Sequence, residues 1–314
     1  MRKLERITMV NRIIQIAFCF DINMFAPACV SVASLLDSKG TADHFAIHCI
    51  VDDASLKQKD VLINIVGKRD ADSSIMFHPA PNIFESSFET RGISKATYMR
   101  FAIHNLIPDI EKIIYSDVDV LFCDSLKELW ETNIEDYYFA GVKGTNNFAN
   151  KWEDYAGLDY FEELDGIQGK YINAGILVMN LRRIRETGID TLWIEKSKMS
   201  YKYQDQDIIN ITCKDQILHL PLKYNLAGYL IPKWFKKYYV QGIYSKKECM
   251  EAYRHPVILH YAGDKPWKAR DAHRADTWWN YVLSQEDLSS LFPQMKKNYI
   301  ARIIKKIKHF FNNK

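Results

Sequence analysis

An α/β fold organised around a mainly parallel sheet is the architecture this sequence predicts, and three observations predict it. Apolar runs of strand length recur along the chain. They are continuous rather than alternating, which marks strands covered on both faces, as in parallel sheets. Segments of helical periodicity separate the early runs, and that alternation is the pattern of a layered α/β protein.

The elements follow in order. "IIQIAFCF" (13–20) reads as the first strand, followed by a helix over 25–37; "HFAIHCIV" (44–51) is the second, followed by a helix over 54–67. "SIMFH" (74–78) is the third strand, and a helical pattern covers 94–107 before the fourth, "KIIYSDVDVLF" (112–122). "YFAGVKG" (138–144), "YINAGILVMNL" (171–181) and "VILHYAG" (257–263) complete the predicted strands. The aromatic and acidic stretch "NKWEDYAGLDYFEELDG" (150–166) loosens the pattern and reads as a lid or acceptor-side excursion rather than core. Residues 1–285 are expected to form one elaborated domain, with 286–314 as a separate tail.

Bulk properties narrow the function. The chain is 47% hydrophobic over 314 residues, enough for a large core. Its 42 basic and 39 acidic residues nearly cancel, so bulk charge argues against nucleic acid as a partner. Six cysteines (Cys19, Cys29, Cys49, Cys123, Cys213, Cys249) lie far apart without CxxC spacing, which suits small buried groups in a reducing compartment. The charged N-terminus precedes an apolar run too short to span a bilayer and without a small-residue cleavage site, so a cytoplasmic protein is expected.

The tail differs from the rest. From Met295 it reads "MKKNYIARIIKKIKHFFNNK", with seven Lys or Arg and no acid. Ile300, Ile303, Ile304 and Ile307, continued by Phe310 and Phe311, recur at helical spacing, giving one oily stripe and one cationic face. Such a helix is expected to lie on an anionic membrane surface at the inner face of the cell membrane. Each basic residue there contributes about 1 kcal/mol before salt screening. The plainer alternative is a terminal helix packed on the body.

Within "IIYSDVDVLF" an apolar strand carries two carboxylates. In an extended segment Asp117 and Asp119 would point the same way. Two adjacent carboxylates repel unless a cation lies between them, and such oxygen ligands suit Mn²⁺ or Mg²⁺. The alternative is a pair of solvated turn residues. Near the other end, "VILHYAGDKPWK" delivers His260 from a strand, then Gly263, Lys265, Pro266 and Trp267. A neutral imidazole would complete a set of metal ligands, glycine permits close backbone approach, and the lysine ammonium meets a diphosphate as a point charge. A structural histidine is the plainer reading.

Taken together, "ISKATYMRFAIHNLIP", "KIIYSDVDVLF", "YINAGILVMNL", "YQDQDIIN", "LPLKYN" and "HYAGDKPW", in this order, resemble family 8 of the retaining glycosyltransferases over about residues 13–282. That resemblance implies a GT-A fold, a UDP-hexose donor, usually UDP-glucose or UDP-galactose, and Mn²⁺-dependent transfer, with Mg²⁺ as the second choice. It makes Asp117, Asp119 and His260 the metal ligands and Lys265 the diphosphate-binding lysine. Asp21 and Asn23 fall in the stretch that holds uridine. Arg100, Asn173, Asp205 and Gln206 match residues around the donor sugar, and Val118 and Gly263 complete the implied donor contacts. Gln206 and Asp205 are the implied catalytic candidates. Two positions depart from the family pattern: one residue fewer separates Gly263 from Lys265, and Met24 stands where an aromatic often follows the uridine-binding asparagine.

The expected activity is therefore transfer of glucose or galactose to a hydroxyl of a cell-surface glycan, lipopolysaccharide or a lipid-linked oligosaccharide, at the membrane face. The alternatives are a metal-dependent phosphoesterase, which would need more His and carboxylate ligands, and a nucleotide-sugar-binding module without transfer. Because an amide is a poor nucleophile, retention by a front-side path is expected over a covalent intermediate.

Overall fold

The computed structural model describes residues 12–51, 54–89, 95–228, 230, 232–268 and 272–293. The basic tail expected at 295–314 lies outside these residues. Ten strands are present among them: β1 Arg12–Phe20, β2 Asp43–Val51, β3 Ser74–His78, β4 Lys112–Ser116, β5 Val120–Phe122, β6 Phe139–Lys143, β7 Ile172–Asn180, β8 Ile217–Leu220, β9 Leu226–Ala227 and β10 Ile258–His260. Seven make one sheet in the order β3-β2-β1-β4-β7-β6-β8, and β5-β10-β9 make a second, small sheet.

The large sheet is mainly parallel, with β7 antiparallel to both its neighbours. Its central strands are apolar on both faces because both faces are covered. Ile14, Ile16 and Phe18 of β1 belong to one core cluster with the helix Phe25–Asp37, while Ala17 and Cys19 belong to a second with residues 98–103. That alternation is the period-2 geometry of a strand buried on two sides. Continuous hydrophobicity reports coverage and not direction, so β7, as apolar as its neighbours, gives no sequence sign that it runs the other way.

Local chemistry sets the helix ends. The second helix, Leu56–Arg69, begins at a reciprocal cap, in which Gln58 N–H donates to Ser55 Oγ at 3.3 Å and Ser55 N–H donates to Gln58 Oε1 at 3.0 Å. Lys68 and Arg69 close its last turn, where cations suit the helix dipole. The helical pattern at 94–107 is realised as a 3-10 helix, Lys95–Ala102, running into one α turn, Ile103–Leu106. Arg100 is tied to this winding: its Nε–H donates to Thr97 O at 2.9 Å, in its own preceding turn.

Two expectations are corrected. The predicted strand 112–122 is two strands: the chain bends at residues 117–119, leaves the large sheet at Ser116 and joins the small sheet at Val120. Residues 150–166, expected to stand apart from the core, contribute to it, because Tyr155, Tyr160 and Leu164 are buried in the second cluster. The tyrosines there have a buried carboxylate to donate to, described below. Packing also continues past residue 285: Leu288 and Phe292 are buried, and the Phe292 ring lies 5.0 Å from that of Trp278. All six cysteines are free thiols, and five are buried.

Candidate active site

Beyond the C-terminal end of β4, where open α/β sheets bind ligands, lies a cleft of about 730 Å³. One wall carries Asp117, Asp119 and His260; another carries Arg100, Asp205 and Gln206; Asn173 and Gly175 of β7 lie between.

One strand pairing brings distant parts of the sequence together. β10 runs antiparallel to β5 with His260 opposite Val120, and Tyr261 N–H donates to Asp119 O at 2.8 Å. His260 is thereby held against the bend that carries the aspartates. Its Nε2 lies 3.2 Å from Asp119 Oδ1 and 3.8 Å from Asp117 Oδ2. The bend, rather than an extended strand, makes both carboxylates converge.

Each aspartate engages one oxygen within the protein and turns the other to the same point. Asp117 Oδ1 accepts from Tyr115 Oη at 2.7 Å and from Arg100 Nη2 at 3.1 Å, leaving Oδ2 toward His260. Asp119 Oδ2 accepts from Lys265 Nζ, leaving Oδ1 toward His260. Burial alone would push the Asp119 carboxyl up, but its contacts with His260 and the Lys265 ammonium outweigh it and hold the group below the usual range. One carboxylate oxygen from each aspartate and the imidazole Nε2 form a set of O and N donors within 4.8 Å of one another. Such a set fits a hard or borderline divalent cation.

The backbone is shaped around this point. Pairing of β6 with β7 shifts register between Gly141 and Val142, so residues 174–176 of β7 bulge. The bulge aims successive peptide groups at the site. Ala174 O accepts from Arg100 Nη1, and Gly175 O accepts from Asp117 N–H at 2.8 Å. A Cβ at position 175 would lie 2.3 Å from His260 Cε1 and 2.8 Å from Asp117 Oδ2, so only glycine fits. Sequence reasoning missed Gly175, although a glycine inside a strand marks close approach.

The wall opposite comes from the helix Gln204–Thr212 and Arg100. Arg100 is 3% exposed, stacks 4.3 Å over the Tyr115 ring and lies between two acids, with Nε 3.0 Å from Asp205 Oδ2. Asp205 Oδ1 accepts from Thr97 Oγ1. Burial, reinforced by the nearby Asp117 charge, outweighs Arg100 and pushes the Asp205 carboxyl up to about 6. Only three buried side-chain polar atoms among the described residues lack a hydrogen-bond partner, and two line this cleft: Asp205 Oδ2 and Gln204 Oε1. Gln204 also holds a left-handed backbone conformation, φ 47°, an uncommon one for a residue with a side chain. Both atoms are acceptors with no hydrogen bond, Asp205 Oδ2 having only its ion pair with Arg100, which suits a ligand rich in hydroxyl groups.

Asp207, next on the same helix, is a buried carboxylate that Tyr155, Tyr160 and Tyr171 hydroxyls and the Tyr203 N–H all donate to. It does not line the cleft. Four of the expected donor contacts, Asp21, Asn23, Val118 and Gly263, stand outside the lining. Asp21 caps a short 3-10 turn just past β1, accepting from Asn23 N–H at 2.9 Å. Val118 is buried and its carbonyl accepts from Ser31 Oγ. Gly263 is exposed, between the lining residues Ala262 and Lys265.

This fold and this site define a glycosyltransferase of the GT-A type. The sequence profile of "Glycosyl transferase family 8" matches residues 15–271, and the chain belongs to that family. That membership sets aside the phosphoesterase alternative. A putative glycosyltransferase of Haemophilus influenzae is 32% identical over 201 residues, a stretch covering 62% of this chain and 56% of that protein. The match thus spans little more than half the length of that relative. The lipopolysaccharide 1,2-glucosyltransferase of Escherichia coli is 27% identical over 270 residues, covering 80% of this chain and 72% of that one. Among solved structures, the galactosyltransferase LgtC with donor and acceptor sugar analogues aligns with a TM-score of 0.70 at 24% identity, over 88% of this chain and all of that one. The bifunctional glycosyltransferase WbbM aligns with a TM-score of 0.73 at 19% identity, over 90% of this chain and 51% of that one.

Proposed function

We propose that the chain is a metal-dependent, retaining hexosyltransferase that moves glucose or galactose from a UDP-sugar to a hydroxyl of lipopolysaccharide or a lipid-linked oligosaccharide. One observation carries this reading: Asp117, Asp119 and His260 each turn one atom able to ligate a cation to a common point. Asp117 Oδ2, Asp119 Oδ1 and His260 Nε2 would hold Mn²⁺, or Mg²⁺ in its place. A divalent ion bound there supplies positive charge to the diphosphate as the anomeric bond breaks.

The chain's own groups do the rest. Lys265 adds a second positive charge beside the ion site, where negative charge develops on the departing UDP. Asp205 Oδ2 and Gln204 Oε1 accept from sugar hydroxyls and fix the ring, an arrangement that can tell one hydroxyl orientation from another. Gln206 Oε1 already accepts from Asn173 Nδ2 at 2.9 Å and Ala174 N–H at 3.1 Å. An amide so occupied is a poor nucleophile, which supports the front-side path, in which the leaving phosphate takes the acceptor's proton. Asp21 and Asn23, beside the same sheet edge, take the uridine, with Val118 and Gly263 contributing backbone.

Across the cleft, Thr145, Asn146, Phe148, Tyr203 and Lys237 offer an aromatic and polar wall suited to the acceptor glycan. Among the described residues no helix is long and apolar enough to cross a membrane. We assign attachment at the inner membrane face to residues 295–314, whose stripe and charge would confine the enzyme to the surface bearing its acceptor. Incubation with UDP-glucose or UDP-galactose tests the reading. Slow release of free hexose and UDP is expected with Mn²⁺ and none with excess chelator. Turnover unaffected by chelator, or intact donor under all conditions, would overturn it.

A further inference from the structure

We infer that Asn225 is a positioning residue for the ion site: it fixes a proton on His260 Nδ1, so that Nε2 is the nitrogen left to bind a cation. The inference rests on the metal-dependent reading above.

The assignment follows from groups whose polarity is not in question. Gly175 N–H can only donate, and it lies 3.0 Å from one side-chain atom of Asn173, which must therefore be oxygen. The Asn225 atom 2.8 Å from that oxygen must be its NH₂. The other Asn225 terminal atom is then oxygen, and it lies 2.8 Å from His260 Nδ1, which must carry the hydrogen. A second backbone donor agrees: Ala174 N–H fixes Gln206 Oε1 as an acceptor, so Asn173 meets it through NH₂.

The relay continues one way. Gln206 Nε2 donates to Tyr171 Oη at 3.1 Å, and Tyr171 Oη donates to Asp207. From His260 to the buried Asp207, each group donates to the next, so the sugar-side amide Gln206 and the ion-side His260 share one hydrogen-bonded chain. Without the Asn225 carbonyl the neutral imidazole has a competing choice. A proton on Nε2 would be met by Asp119 Oδ1 at 3.2 Å, and that nitrogen would then be closed to a cation. Hydrogen-bond partners behind a ligating histidine typically change metal affinity by about 10- to 100-fold when removed.

The test uses full-length protein labelled with ¹⁵N in histidine, its nine imidazoles distinguished by a His260→Gln spectrum. In the wild type His260 Nδ1 is expected to be protonated both without metal and with saturating Mg²⁺. Asn225→Leu is expected to weaken Mn²⁺ binding, measured calorimetrically without donor, by about 10- to 100-fold. An unprotonated Nδ1 in the wild type, or a folded Asn225→Leu protein with wild-type Mn²⁺ affinity, would overturn the inference. Should that variant fail to fold, the wild-type Nδ1 signal decides alone. A wild type that binds no Mn²⁺ while keeping the Nδ1 proton would sink the metal-dependent reading and uphold the Asn225 contact, so the two failures are told apart.

Discussion

Gly175 has neighbours at 2.3 Å and 2.8 Å from where a methyl would stand, and both belong to the ion site. Gly175→Ala must displace His260 or Asp117, at a cost of about 1–3 kcal/mol from overpacking. A urea titration would read that loss, and a Mn²⁺ titration should show binding reduced well beyond what the stability change explains. Asp205 makes a prediction of opposite character. Its carboxyl binds a proton more tightly in the folded chain, up to about 6, than the ordinary value of 3.8 it regains on unfolding. Its stabilising contribution is therefore full below about pH 4 and is lost as pH rises through about 6. In Asp205→Asn that decline should vanish. The stability of the variant relative to wild type, compared by urea unfolding at pH 4.5 and pH 7.5, should shift in the variant's favour at the higher pH.

The segment from His260 to Trp267 shows what local pattern could and could not reveal about an element. That a strand ends in a histidine, followed by a lysine, a proline and a tryptophan, was legible, and Asp117, Asp119 and Lys265 do meet there. The anchoring was half legible. Trp267 is buried with its ring 5.3 Å from that of Trp278, but Trp279 Nε1–H also donates to Pro266 O at 3.0 Å, a contact no spacing rule foretells. Trp279→Phe removes that bond and thins the packing against Trp278 and Phe292. The expected result is a loss of stability larger than the ~1 kcal/mol of the bond alone and a raised KM for donor, since the loop it ties carries Lys265. Asn225 ends the motif LPLKYN, but its role was illegible for the same reason, because its partners, Asn173 and His260, come from strands far off in sequence. The break at 117–119 hid inside an apolar run for another: periodicity marks burial, and the chain is buried on both sides of the bend.

At the scale of the whole molecule the α/β class and the order of the first four strands could be read from alternating strand and helix patterns. Strands β8 and β9, four and two residues long, were too short to register, and the direction of β7 left no mark in composition. The tail poses the remaining test. Chain ending at residue 294 should keep the packed body, because Leu288 and Phe292 remain. It should release hexose from soluble UDP-sugar at the full-length rate and lose sedimentation with vesicles rich in anionic lipid. Equal sedimentation of both forms at physiological salt would remove the membrane assignment.

The acidic bend is also the seam at which the chain leaves one sheet for the other. An ion clasped by Asp117, Asp119 and His260 would rivet that seam, joining the end of β4 to β10 through bonds that neither sheet supplies. Amide deuteration should then slow on β9 and β10 when the cation is added, even with no sugar nucleotide present.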